Sequence, residues 1–89
     1  MTIMLMQHKV KDYATWRAVF DSVSAIRTAS GEISADVFRD ASDANSITVL
    51  NKWDSLENAQ KFVHSPDLHA AMEQAGVIGM PNVSFLNEA

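Results

Sequence analysis

The spacing between apolar residues changes period along this chain, from two to three-and-four and back. That order of periods limits the fold more than any single residue does. Residues 2–10 alternate Ile3, Leu5, Gln7 and Lys9 with Met4, Met6, His8 and Val10, and both sets begin apolar, as in a strand covered on both faces. Asp12 can cap a helix whose apolar positions Tyr13, Trp16, Val19, Phe20, Val23 and Ile26 recur at three and four residues, predicting one helix to about Ala29. Gly31 then supplies the permissive backbone that commonly follows a helix end.

Alternation returns from Glu32 to Asp40, with Ile33, Ala35 and Val37 on one side and Glu32, Ser34 and Asp36 on the other. The turn formers of residues 41–45, A-S-D-A-N, lead into Ile47, Val49, Asn51 and Trp53 alternating with Ser46, Thr48, Leu50 and Lys52, which predicts a hairpin. Asp54 and Glu57 fit a capping box for a short helix over residues 56–63. Ser65 and Pro66 open a second helical segment with the stripe Leu68, Ala71, Met72 and Ala75, closed by Gly76. After a loop at Gly79 and Pro81, Val83, Phe85 and Asn87 alternate in a last strand. The order is βαββαβ, an α+β ferredoxin-like arrangement with a four-stranded antiparallel sheet and its helices on one face.

A chain of 89 residues is too short for two independent cores, so residues 1–89 are expected to form one domain. It has no cysteine, which removes disulfides and thiolate metal sites and leaves association as the natural supplement to a small core. The net charge is -4 and no Lys or Arg follows Lys61, so the clustered cations of a nucleic-acid binder are missing. The apolar run of residues 1–6 has no basic flank and ends in Gln7-His8-Lys9, so it reads as a strand rather than a leader. With no stretch long enough to span a bilayer, the expectation is a cytoplasmic protein with no membrane partner.

If the helices cover Ile33, Val37, Val49, Trp53 and Phe85, the other sheet face still carries Phe38, Thr48, Leu50, Leu86 and one apolar set of the first strand. Such surface costs roughly 25 cal/mol per Å² when exposed to water. A homodimer through the open sheet face is therefore expected.

Three stretches carry a resemblance to a known group. They are His8-Lys9-Val10 followed by Asp12-Tyr13 and Trp16, then Ile47 to Trp53 followed by Asp54-Ser55, then Phe62 through Ser65-Pro66 to Leu68. On these the chain resembles the dimeric α/β-barrel superfamily and its antibiotic-biosynthesis monooxygenase-like domains. The resemblance implies a cavity between helices and sheet that takes an aromatic, polyketide-like substrate, which itself helps activate oxygen, so no cofactor is expected. The superfamily also holds cyclases, isomerases, haem-degrading enzymes and proteins of no known activity. Its haem-degrading branch has a second tryptophan and a proximal histidine where this chain has Phe62 and Met72, which disfavours that chemistry.

The parts for such a site are present. Asn51 and Trp53 share a strand face with Ile47 and Val49, offering a hydrogen-bonding group and an aromatic wall if that face meets the helices. Asn51 alternatively bonds to backbone or solvent at the strand end. His64 is the first candidate base and His8 an auxiliary one. His64 and His69 flank the Ser65-Pro66 break, so whether they share a cavity depends on that turn. Trp16 and Met72 are core residues with a secondary role in contacting ligand. The three histidines lack any metal-ligand spacing, and no metal is expected. The expected function is a homodimeric small-molecule-binding protein with cofactor-independent monooxygenase or cyclase-like activity on an aromatic or carbonyl compound. The competing expectation is a non-catalytic binding or interaction module of the same fold.

Overall fold

Four strands and four helices cover the computed structural model, which describes residues 1–89: β1 (Thr2–Val10), α1 (Tyr13–Ser22), α2 (Ser24–Ser30), β2 (Glu32–Arg39), β3 (Ser46–Trp53), α3 (Leu56–Val63), α4 (Pro66–Ala75) and β4 (Val77–Asn87). All pairings are antiparallel, in the order β2-β3-β1-β4, as the sequence of periods predicts for a ferredoxin-like sheet. β1 is central, and its even-numbered residues from Thr2 to Val10 are all buried, so this set faces the helices.

The helix ends follow local chemistry, with one shift. Asp12 accepts from the Thr15 N–H and caps α1, and Ser65 accepts from the Leu68 N–H ahead of Pro66 at the start of α4. Gly31 and Gly76 close α2 and α4 in the left-handed region, at φ 116° and 76°. The cap of α3 is Ser55, which accepts from the Asn58 N–H, and not Asp54, whose carboxylate instead accepts from the Asn58 side chain at 2.9 Å. The expected single helix to Ala29 is broken at Val23 into α1 and α2. Past the break, Ile26 is exposed and Arg27 takes the inward position.

Two irregularities alter which residues face inward. A bulge between Glu32 and Ser34 lets Glu32 pair with Trp53 and Ala35 with Asn51, placing Glu32 on the helix side. Ile33 is consequently 55% exposed instead of covered. β4 begins at Val77 and runs through the expected Gly79–Pro81 loop, with a register shift against β1 between Gln7 and Lys9. Pro81 is tolerated because β4 is an edge strand, where a missing N–H breaks no central ladder.

The core divides into two groups. Met4, Met6, Trp53, Ala59 and Phe62 pack under α3, with Val63, Leu68 and Val83 around them. Val10, Trp16, Ile47, Val49 and Ala75 pack under α1 and α4, with Tyr13, Val19, Phe20, Val37 and Val77. A cavity lined by residues of both groups opens between them.

Candidate functional site

The sheet floor of that space is set by register. Along the helix-facing side of β1 and β3 the pairs are Met4 with Asn51, Met6 with Val49, and His8 with Ile47. Asn51 thus stands at one end of the floor and His8 at the other, about 13 Å apart for four residues of strand. A cavity of about 60 Å³ opens above this floor, roofed by Trp16, Phe20, Leu68 and Met72 and reached by His8, Asn51 and Arg27. That is room for a few waters, so a ring-sized ligand must displace side chains. Met4, Met6 and Met72 line the cavity, and unbranched thioethers re-pack at low cost.

His8 is buried, its ring centroid 5.7 Å from that of Trp16, and neither ring nitrogen has a hydrogen-bond partner. Burial lowers its pKa from 6.5, because desolvation penalises the imidazolium, so the ring is neutral and able to accept a proton at neutral pH. Asn51 is buried too, and its Nδ2 donates to Glu32 Oε2 at 2.6 Å while its Oδ1 has no partner.

Behind Asn51 lies a buried ion pair. Arg27 Nε donates to both carboxylate oxygens of Glu32, at 3.1 and 3.0 Å, with both side chains more than nine-tenths buried. The Arg27 guanidinium also donates to the Phe20 carbonyl and lies 3.7 Å from the centre of the Phe20 ring. Neither Arg27 nor Glu32 is a candidate on sequence grounds. One signal was present: Arg27 falls seven residues after Phe20 and four after Val23, so a cation sits on the apolar stripe of the helix. Glu32 had none, because simple alternation puts it on the open face and only the bulge turns it inward.

The structure brings His8, Asn51, Trp16 and Met72 to the cavity and leaves three other candidates away from it. Trp53 is fully buried beside Phe62, with ring centroids 5.1 Å apart, as a core residue behind the cavity wall. His64, at the C-terminal end of α3, and His69, on α4, are both exposed. Phe62 and Leu68 take the inward places on their helices, so at 100° per residue the neighbouring histidines turn outward. The Ser65-Pro66 turn therefore gives them no shared cavity. No three of the chain's His, Asp and Glu side chains converge as metal ligands.

A family model described as antibiotic biosynthesis monooxygenase matches residues 2–74. No curated protein matches the chain. Among solved structures, SnoaB, a cofactor-independent oxygenase from Streptomyces nogalater, superposes with a TM-score of 0.80 at 13% identity, over 99% of this chain and 92% of its own. A structure named antibiotic biosynthesis monooxygenase gives 0.76 at 12% identity, over 100% of this chain and 99% of that one. A conserved protein from Methanosarcina mazei gives 0.76 at 12% identity, over 99% and 93% of the two chains. At such identities these structures share the fold, and the fold alone.

Proposed function

The chain belongs to the antibiotic biosynthesis monooxygenase family, and on that premise we propose that it binds a small apolar or aromatic molecule between helices and sheet and oxidises it without a cofactor. The observation that carries this reading is an apolar cavity lined at opposite ends of its floor by His8 and Asn51, whose ring nitrogens and Oδ1 are buried without a hydrogen-bond partner. His8 is the base, in place of His64, and Asn51 holds the substrate's polar group. A methylene activated by an adjacent carbonyl or phenol gives its proton to His8, and the resulting anion reduces dioxygen. One oxygen atom becomes the new carbonyl and the other leaves as water, so the methylene supplies all four electrons. The proton returns from the imidazolium as water forms, which the low basicity of a buried imidazole favours.

Thermal-shift screening against quinols, phenols and aromatic carbonyl compounds, followed by oxygen uptake on those that bind, tests this. A ligand at one hundred times its Kd raises stability by about 2.7 kcal/mol. His8→Gln is expected to abolish oxygen uptake with binding retained, while His64→Ala leaves both unchanged. No shift from any compound, or uptake indifferent to His8→Gln, would overturn the reading.

One observation favours the alternative of a binding module without turnover. No third group orients the His8 ring, since both of its nitrogens lack partners, whereas an activated base is normally held by one. Binding without oxygen uptake would select that reading.

The proposal includes a homodimer through the open sheet face. Phe38, Ile78, Met80 and Leu86 are 51%, 51%, 92% and 45% exposed, and Ile3, Leu5 and Leu50 lie half-buried among them. Ile3 pairs with Leu86 and Leu5 with Leu50, so the apolar surface is continuous across three strands.

A further inference from the structure

We propose that the buried Arg27–Glu32 pair is a positioning device that fixes the Asn51 amide with its NH2 on the carboxylate and its carbonyl toward the cavity, so that this end of the site selects ligands presenting an O–H or N–H. A side-chain amide viewed by shape alone can face either way, and what it meets decides its orientation. Both Glu32 oxygens already take Arg27 Nε, and the oxygen nearer Asn51 is an acceptor with nothing to donate. Only the NH2 of Asn51 can lie 2.6 Å from it. Asn51 Oδ1 is then the atom left over, buried and unpartnered, on a residue that lines the cavity when Glu32 does not.

The chain of contacts behind Asn51 removes the freedom to turn. Arg27 is itself held by the Phe20 carbonyl and ring, so the carboxylate cannot swing away without leaving two buried charges unpaired. A ligand atom at Asn51 must therefore donate. A hydroxyl or N–H completes the amide, whereas a carbonyl, ether or carboxylate oxygen would face the lone pairs of Oδ1 and leave both groups unsatisfied, the arrangement by which buried polar sites discriminate most strongly. Among aromatic ligands this favours phenols, enols and hydroquinones bound by their hydroxyl over quinones and aryl ethers. Arg27 and Glu32 touch no ligand and act through Asn51. The selectivity rests on the reading of this cavity as the ligand site, and the orientation of the amide does not.

Two measurements separate those parts. In 15N-labelled wild-type protein without ligand, the side-chain NH2 of Asn51 is expected to exchange with water at least tenfold more slowly than those of the exposed Asn82 and Asn87. Exchange as fast as theirs overturns the proposal. Binding of phenol and of anisole is then compared in wild type and in Glu32→Gln. In the variant the introduced amide keeps its oxygen on Arg27 and turns its NH2 to Asn51, which reverses the Asn51 amide. Wild type is expected to prefer phenol at least fivefold and the variant to lose that preference. Differences in size and hydration between the probes cancel in the comparison of the two ratios. A smaller wild-type preference, or an unchanged one in folded Glu32→Gln, overturns the selectivity. If the variant does not fold, the exchange rate and the wild-type ratio decide. If neither probe binds, the proposed function is what falls, and the exchange rate alone judges the amide.

Discussion

Arg27 stacks on the ring of Phe20, 3.7 Å from its centre, and donates to the carbonyl of that same residue. One side chain thereby bridges the break between α1 and α2, and its remaining face holds Glu32. The polar end of the cavity is thus anchored to a helix and to the sheet at once.

Breaking that anchor on one side should be costly. Arg27→Leu is expected to destabilise the protein by about 3–5 kcal/mol, because it leaves a buried carboxylate unpaired. Adding Glu32→Leu should restore a large part of the loss. Urea unfolding of wild type, the single variant and the double variant measures this, and a double variant weaker than the single one would contradict it.

The stability of the protein should fall on mild acidification because of His8. Well above pH 6.5 the imidazole is neutral in both folded and unfolded chains and contributes no pH dependence. As the pH falls through 6.5 the unfolded chain takes up the proton first, since burial lowers the folded-state value, so stability declines until the pH passes that lower value. Urea midpoints at pH 7.5 and 5.5 should show a smaller drop in His8→Gln than in wild type.

The cap of α3 can be told apart by alanine. Ser55→Ala removes the oxygen that accepts from the Asn58 N–H and should cost about 1 kcal/mol. Asp54→Ala removes only an exposed side-chain contact and should cost less than half of that. Equal losses in thermal or urea unfolding would return the cap to Asp54.

Trp53 is the largest fully buried side chain and rests against Phe62. Trp53→Ala should lower stability by about 3–5 kcal/mol through lost burial and the cavity left behind. As a core residue outside the ligand cavity, it should change affinity for phenol little in whatever fraction stays folded, as ligand titration at low temperature would show.

The sheet-face dimer predicts its own disruption. Wild type should elute as a dimer at micromolar concentration in light-scattering chromatography, and Leu86→Glu, which puts a charge on the open face, should elute as a monomer. A monomeric wild type removes the dimer from the proposal.

Much of the fold was legible because its determinants are local. The alternation of residues 2–10 and 46–53, the Asp12 and Ser65 caps, Pro66 at a helix start and the left-handed Gly31 and Gly76 each depend on a few adjacent residues. Trp16 and Met72 were legible as core positions for the same reason, while for Asn51 and His8 the period gave only the strand face each shares, and the packing of the helices decided that both face inward. The outward turn of His64 and His69 was not, since it depends on which face α3 and α4 present to the sheet.

What the tertiary structure alone decided is the polar end of the site. Glu32 reaches Asn51 because the bulge at Ile33 reverses which side of β2 it occupies, and only there does it meet Arg27 of α2. Pairing register and helix placement are set by contacts between distant segments, and a one-residue slip moves a side chain to the opposite face of a sheet. The sequence determined the alternation of strands and helical stretches and the apolar helix stripes that roof the cavity. The orientation of its one fixed amide came from packing.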